Sequence, residues 1–266
     1  MMELAMIGLM DDDDIDLIDA GIALSLADRP SADAAPLRRL MSGWAIVLQR
    51  DPPPPTAQGR ALRLAGLIAG EAGLTGDTQD YENPLSADLV AVANRGHGLP
   101  ISLSILYVAL ARRVGWRADA LALPGHVLVE VQGGGTSALI DPFDHGISVS
   151  PARAADIARA AGNGPVAGQF PAMSNRQMLV RMISNQASRA RLAGQVLRAL
   201  ALYERMTMIA PRTAALWWER AQLEQRIGRL PAARASLTAM LETTHDPALM
   251  HRIQAMLAGL ARSDNI

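Results

Sequence analysis

Residues 121–131, LALPGHVLVEV, decide the fold of the middle of the chain. Two apolar runs flank Pro124 and Gly125, a residue pair that marks a tight turn. The pattern predicts two antiparallel strands, with His126 at the mouth of the second. An imidazole at the start of a buried strand needs a hydrogen-bonding partner, because burying a polar group alone costs free energy. Nearby backbone groups can supply that partner, and so can an acidic side chain.

An acidic side chain is available at the end of the next predicted strand. The three predicted strands cover residues 117–123, 126–132 and 136–141, and the third ends at Asp141. If the second and third strands pair as a hairpin, His126 and Asp141 come to the same end of the sheet. A carboxylate in that position fixes the tautomer of the ring and stabilises its charged form. The sequence therefore predicts a histidine–aspartate pair.

A strongly apolar helix precedes these strands. Residues 100–116, PISLSILYVALARRVGW, place Pro100 in the first helical turn and Gly115 just after the helix end. These are the positions where each residue type is favoured. Because apolar residues occupy nearly every side of this helix, we expect it to be buried. A buried helix followed by a small antiparallel sheet predicts an α+β domain.

Further helices are predicted earlier in the chain. Their patterns cover about residues 14–28, 36–49 and 58–73, with a short helix from Ser86. Four consecutive prolines, residues 52–55, favour an extended connector between the second and third of them. We therefore expect an N-terminal helical region over residues 1–50, which packs on a domain that spans residues 51–168.

The last part of the chain is helical and repeats with a period of 34 residues. At this offset Gly194 falls on Gly228 and Ala199 falls on Ala233. Small residues at fixed positions in a 34-residue period, with a proline closing the second helix, are typical of tetratricopeptide repeats; a generic array of helical hairpins is the alternative. We expect an all-α repeat region over residues 173–263 that holds a protein or peptide partner.

Two adjacent tryptophans lie near the start of the second repeat. Trp217 or Trp218 stands where this type of repeat carries its N-terminal aromatic residue. Packing between helices explains one of them. An exposed tryptophan can instead anchor a partner peptide, so both are candidate partner-binding residues.

The composition excludes several classes of function. The 266 residues have a formal net charge of −1 at pH 7, which is not the basic excess that nucleic-acid-binding proteins carry. Without cysteine or lysine, the chain has no disulfide, no thiol catalysis and no Schiff-base lysine. It also lacks a basic leader and the roughly 18 apolar residues of a membrane span. We expect a cytoplasmic protein with no cofactor that binds neither nucleic acid nor membrane.

Three segments together resemble the transglutaminase-like, papain-type superfamily. They are RGHGLPISLSILYVALARRVGW (95–116), LPGHVLVEV (123–131) and LIDPFDHG (139–146). In that superfamily a Gly-x-Cys helix start is followed by a histidine on a strand and an aspartate before proline. The chain is most similar to the bacterial SirB-type branch, which joins such a domain to C-terminal tetratricopeptide repeats. DYENPLSADLVAVANRGHGLPISL (80–103) also matches that branch. The resemblance implies the same fold and a link to gene regulation.

The resemblance places the superfamily nucleophile at Pro100, which has no thiol. His126 and Asp141 match the other two members. Ser102 lies about 200° around the helix from Pro100, and Ser104 lies about 6 Å further along its axis. Two hypotheses follow: a non-catalytic scaffold that keeps the pair, or a hydrolase or acyltransferase that uses Ser102 or Ser104. The position of each hydroxyl relative to the His126 ring separates them.

A few other polar residues are candidates to line the same cleft. Arg95 and His97 precede Pro100, which is itself expected to line the cleft, and His145 follows the third strand. Exposed loop positions are the alternative for Arg95 and His97. His126, His145 and Asp141 also offer a set of ligands for zinc. No closely spaced histidine pair supports that set, so we expect no metal site.

Overall fold

The computed structural model divides the chain into two compact units. It describes residues 3–160 and 170–263. Of these, residues 11–182 form the first unit, and residues 3–10 join residues 183–263 in the second. The expected end of the middle domain, residue 168, lies outside the described residues. The domain boundaries drawn from the sequence therefore stay a prediction.

The first unit is built around one buried helix, α6, which begins at Pro100 and is followed by Gly115 at φ +76°. Both positions agree with the prediction. A π-helical segment, Gly66–Glu71, continues α4. The helices of this unit are α2 (Leu17–Asp28), α3 (Ala35–Gln49), α4 (Ala57–Ala65), α5 (Leu89–Arg95), α6 (Pro100–Arg113) and α7 (Pro151–Ala160).

A four-stranded antiparallel sheet packs against α6, in the order β3-β4-β5-β6. Its strands are β3 (Ala118–Leu123), β4 (His126–Gly133), β5 (Thr136–Asp141) and β6 (Ile147–Val149). The Pro124–Gly125 turn pairs Leu123 with His126. The first three strands agree with the predicted hairpins, and the α+β fold is confirmed. The sequence patterns missed β6 and the two-residue parallel pair β1 (Thr75–Gly76) and β2 (His97–Gly98).

Both faces of the sheet are covered, because its strands alternate between two sets of apolar side chains. Val127 and Val129 are on the set that faces α6, while Leu128 belongs to a cluster with Ala154 of α7 and Phe170. Burying a Leu or Val side chain stabilises a fold by about 1.5–3 kcal/mol. A sheet that is packed on both faces therefore holds His126, the first residue of β4, in one position.

Helix α8 (Asn175–Leu192) begins in the first unit, and the division between the units falls after Met182. Asp12 caps its first turn: one carboxylate oxygen accepts from the Asn175 backbone N–H at 2.8 Å, and the other from the Arg176 N–H at 3.0 Å. These N–H groups have no partner within a helix. The acidic run at residues 11–14 thus supplies a helix cap.

The second unit contains helical hairpins with the predicted period. Its remaining helices are α1 (Leu4–Leu9), α9 (Val196–Ile209), α10 (Ala214–Arg226), α11 (Leu230–Thr243) and α12 (Pro247–Ser263). Gly194 and Gly228 both have positive φ, +69° and +75°, and each lies two residues before a helix. Ala199 and Ala233 are both fully buried. The 34-residue spacing is confirmed in these equivalent positions.

Helix α1 packs on α9, which the sequence patterns did not indicate. The approach is so close that a Cβ atom on Gly8 would lie 2.1 Å from the carbonyl oxygen of Met208. By contrast, α2 and α3 pack on α5 and α6. The expected N-terminal region of residues 1–50 therefore contributes to both units. Among the described residues, no helix combines the length and apolar character that a membrane span requires.

Candidate functional site

The imidazole of His126 and the carboxylate of Asp141 meet at one end of the sheet. The His126 Nε2 atom lies 2.7 Å from the Asp141 Oδ2 atom. His126 is the first residue of β4 and Asp141 the last of β5, and these strands pair antiparallel with Val129 opposite Ile140. The hairpin therefore brings together two residues fifteen positions apart. Their side chains are 16% and 9% exposed, so this pair is shielded from water.

The second oxygen of Asp141 holds the turn that follows β5. Asp141 Oδ1 accepts from the Phe143 backbone N–H at 2.9 Å and from the Asp144 N–H at 3.3 Å. The carboxylate thus serves three nitrogens with two oxygens, so both of its oxygens are engaged. This accounts for the Asp-Pro-Phe sequence structurally, because the aspartate closes its own turn.

Arg181 of α8 fixes the other side of His126. Its Nη2 atom donates to the carbonyl oxygens of Leu123 and His126, both at 3.0 Å. These carbonyls flank the Pro124–Gly125 turn, so the guanidinium holds the two ends of the turn together. Burial lowers the pKa of Arg181 from its ordinary value, although the neighbouring Tyr81 acts in the opposite direction. Sequence reasoning missed Arg181, since nothing in local periodicity links residues 55 positions apart.

Tyr107 was also missed, although helix spacing gives a signal for it. It lies seven residues after Pro100, which places both on the same face of α6. The hydroxyl is buried and has no hydrogen-bond partner among the described residues. A Cβ atom on Gly146 would lie 2.6 Å from this oxygen, so only glycine leaves it room. Burial, together with the nearby charge of Asp141, raises the pKa of Tyr107 well above its ordinary value.

Neither candidate serine presents its hydroxyl to His126. Ser102 Oγ donates to the carbonyl oxygen of Ser86 at 3.0 Å, and Ser102 is fully buried. Ser104 is also fully buried, and its hydroxyl has no partner among the described residues. Pro100 is buried at the first position of α6. The part of the chain that the structure describes contains no hydrogen bond from either serine to the imidazole.

Two of the expected cleft residues line one cavity of about 430 Å³. His97 and His145 border it together with Thr75, Asp77, Thr78, Gln79, Phe143 and Asp144. His145 has a φ of +53°, which a non-glycine residue rarely adopts. Phe143 connects the cavity to the pair, because its ring stands edge-on to the His126 ring with centroids 6.1 Å apart. Pro100 and Arg95 are not among the residues that line it.

Arg95 instead forms a polar cluster behind the cavity. Its guanidinium lies 3.2 Å from both Asp77 Oδ2 and Ser86 Oγ, and Ser86 Oγ donates to the same Asp77 oxygen at 2.7 Å. Burial of Asp77 raises its pKa. The hydrogen bonds from Ser86 and from the Asp80 backbone N–H, with the charge of Arg95, outweigh burial and lower the pKa below its ordinary value. Through Ser86 this cluster also fixes Ser102.

Metal ligation is not supported by the arrangement of the described residues. They contain no group of three His, Asp or Glu side chains placed to hold a metal ion. His126, His145 and Asp141 therefore do not form the zinc site considered as an alternative.

Both tryptophans of the second unit are half-buried and engaged within it. Trp217 Nε1 donates to the Pro211 carbonyl oxygen at 2.7 Å, and the Arg220 guanidinium lies 5.3 Å from its ring centroid. The Arg252 guanidinium lies 5.8 Å from the Trp218 ring centroid. The two rings pack against the apolar cluster that contains Ala221, Ala233, Leu237 and Met240.

Comparison with known proteins gives relatives over most of the chain. A UPF0162 protein of Xylella fastidiosa strain 9a5c is 24% identical over 249 residues, which cover 89% of this chain and 88% of the relative. F-box only protein 21 of Mus musculus is 36% identical over 70 residues, which cover 26% of this chain and 11% of the mouse protein. A crystal structure of menin aligns over 94% of this chain and 73% of menin, at 13% identity and a TM-score of 0.41. A likeness of that size carries no argument.

Two family models match successive parts of the chain. The tetratricopeptide repeat model matches residues 188–258, where the paired helices lie. The transglutaminase-like superfamily model matches residues 36–184, more than half of the chain, and these include α6, the sheet and the His126–Asp141 pair. The chain therefore belongs to the transglutaminase-like superfamily, with tetratricopeptide repeats following its transglutaminase-like domain.

Proposed function

We propose that the protein is a non-catalytic scaffold of the SirB-type branch, acting in the bacterial cytoplasm. The helical repeats bind a protein or peptide partner, and the transglutaminase-like domain serves as a rigid module rather than an enzyme. The match of both family models supports an interaction role, and the Xylella relative supports a bacterial setting.

One observation carries the non-catalytic part of this proposal. The helix start that holds the thiol in the superfamily begins here with Pro100, and the Ser102 hydroxyl donates to the Ser86 carbonyl. A serine nucleophile must be hydrogen-bonded to its base and open to substrate. Ser102 and Ser104 are fully buried, and among the described residues neither hydroxyl is hydrogen-bonded to the imidazole, so neither requirement is met.

In this proposal the His126–Asp141 pair acts as a structural lock. A buried hydrogen bond at 2.7 Å satisfies both groups and ties β4 to β5. His97 and His145 line the adjoining cavity, and Arg95 holds Asp77 of its wall, whereas Pro100 does not line it. Trp217 and Trp218 belong to the repeats that contact the partner.

Covalent labelling tests the absence of catalysis. Wild-type protein, Ser102→Ala, Ser104→Ala and Asp141→Asn are treated with a fluorophosphonate probe and with p-nitrophenyl acetate, and labelled residues are mapped by mass spectrometry. We expect no labelling at Ser102 or Ser104 in any of them. Labelling at either serine that Asp141→Asn abolishes, while circular dichroism shows a folded chain, would establish the hydrolase or acyltransferase instead.

Peptide binding tests the scaffold directly. The full-length chain is applied to an array of random twelve-residue peptides, beside Asp141→Asn and the paired change Trp218→Ala with Gln222→Ala on α10. We expect defined peptides to bind wild type and Asp141→Asn equally, and to lose affinity for the α10 variant. Failure of every peptide to bind the wild type contradicts the scaffold.

A further inference from the structure

A row of exposed side chains runs along α10 in the second unit. Its members recur every three or four positions, which places them on one side of the helix. We call this row the α10 face; it consists of Ala215, Trp218, Gln222, Gln225 and Arg226. Most of these residues are exposed, and Trp218 is half-buried.

Arginines from the neighbouring helices border the α10 face on both sides. Arg191 of α8 forms an ion pair with Glu219, the residue after Trp218. Arg252 of α12 stacks its guanidinium over the Trp218 ring. Because these contacts join α8, α10 and α12, the α10 face is the middle of a wider surface formed by all three helices.

The second unit has an excess of positive charge, which the nearly neutral net charge of the whole chain does not reveal. Residues 2–10 and 183–266 together contain eleven arginines and seven acidic residues, a formal charge of +4, whereas the rest of the chain contains fourteen arginines and nineteen acidic residues. Glu219 is paired with Arg191, and Glu224 is buried between Arg220 and Ser236. Arg226 and Arg252 are exposed and have no carboxylate partner among the described residues.

Resting on the proposed function, we infer that the α10 face binds an acidic, extended peptide segment of a partner protein. Guanidinium groups bind carboxylates in bidentate geometry, and Arg226 and Arg252 supply two of them. The Gln222 and Gln225 amides can donate to and accept from a peptide backbone. Trp218 offers an apolar surface for a side chain between the two acidic positions.

The spacing of the two arginines sets a requirement for the peptide. Arg252 reaches α10 at Trp218, and Arg226 lies eight residues further, a rise of about 12 Å. About four residues of extended chain span that distance. The favoured ligand therefore carries acidic residues about four positions apart.

Fluorescence anisotropy with defined probes tests this inference. The probes are fluorescein-labelled twelve-residue peptides of Gly, Ser and Leu that carry two Glu residues one to six positions apart, with matched peptides carrying Gln or Lys instead. They are titrated with the full-length chain. We expect the Glu peptide with a spacing of four to bind about tenfold more tightly than its Gln counterpart, an advantage that shrinks in high salt.

Variants separate this surface from a general effect of charge. Arg226→Gln and Arg252→Gln are each expected to weaken the Glu peptide about fivefold or more and leave the Gln peptide unchanged. Arg229→Gln, exposed between α10 and α11, and Arg153→Gln, exposed on α7, remove the same charge and should have little effect.

Each outcome has a distinct meaning. Equal loss in all four variants, no difference between Glu and Gln peptides, or displacement of the Glu peptide by a single-stranded oligonucleotide overturns the acidic-peptide inference. If peptides bind without regard to charge, the scaffold proposal stands and only this inference fails. If no peptide of the set or of the array binds, the scaffold proposal itself fails.

Discussion

Asp141 holds three residues of the candidate site together, since its oxygens accept from His126, Phe143 and Asp144. We expect Asp141→Ala to lower the free energy of unfolding by about 2–4 kcal/mol, because it leaves buried donors without an acceptor. Urea unfolding measures this loss. The matched control is His97→Ala, an exposed change near the same cavity, which should cost no more than about 0.5 kcal/mol. Similar losses in the two variants would contradict the structural lock.

Asp77 makes stability depend on pH in the acid range. Its pKa is lower in the folded chain than the value of about 3.9 in an unfolded one, so its contribution is complete above that value. As pH falls through the folded pKa, the carboxylate is protonated and the contribution is lost.

The free energy of unfolding is measured in ~1-unit steps from pH 5 down to pH 2. We expect it to decrease less over this range for Asp77→Asn than for wild type. Urea unfolding at each pH gives the slope. Asp51→Asn, a change at a carboxylate that is 74% exposed, is the control and should leave the slope close to wild type. An unchanged slope in Asp77→Asn would show that the cluster does not hold Asp77 in its charged form.

Individual residues of the site were predictable only where they lie near each other in the chain. The His126–Asp141 pair follows from a hairpin with a short turn, because strand pairing fixes which ends meet. The hydrogen bond that engages the Ser102 hydroxyl could not be predicted in this way, because its partner Ser86 is positioned by a cluster that includes Asp77 and Arg95. Such contacts depend on how loops fold back, which helical angles alone do not give.

At the scale of the elements, α8 depends on a cap supplied from far away in the chain. We expect Asp12→Ala to reduce the free energy of unfolding by about 1–2 kcal/mol, because the Asn175 and Arg176 N–H groups lose their acceptor. Asp13→Ala removes a neighbouring carboxylate that caps no helix and is the control. Equal effects, measured by thermal or urea unfolding, would mean that the acidic run acts only through its charge.

The elements with strong local signals were predicted well. Pro100 and Gly115 mark the ends of α6, and the Pro124–Gly125 turn sets the register of β3 and β4. The missed elements have weak signals of their own. Strand β6 is three residues long, and β1 and β2 have two residues each, so alternation has no length over which to appear.

At the scale of the whole molecule, residues near the start of the chain complete the repeat unit. Ile7 is fully buried where α1 packs on α9, whereas Leu9 is 82% exposed. We expect Ile7→Ala to cost about 2–4 kcal/mol and to speed amide hydrogen exchange in α9. Leu9→Ala should do neither. Faster exchange confined to β4 or α6 in Ile7→Ala would contradict the assignment of α1 to this unit.

The overall organisation was predicted in kind, but not in how the start of the chain is shared. A period of 34 residues and the glycines at 194 and 228 predict the hairpins of the second unit directly. The first ten residues have no such repeat. Their position depends on the close approach that Gly8 allows to the Met208 carbonyl. A single glycine in the sequence does not indicate which residue it will contact.

The packing of α1 on α9 also sets an order of events during synthesis. The two helices are separated by roughly 190 residues, so at bacterial and eukaryotic rates of translation α9 leaves the ribosome about 10–40 s after α1. Throughout that interval Ile7 has no native surface to cover it. Until then the apolar side of α1 remains available to bind non-native surfaces, which exposes the nascent chain to misassembly.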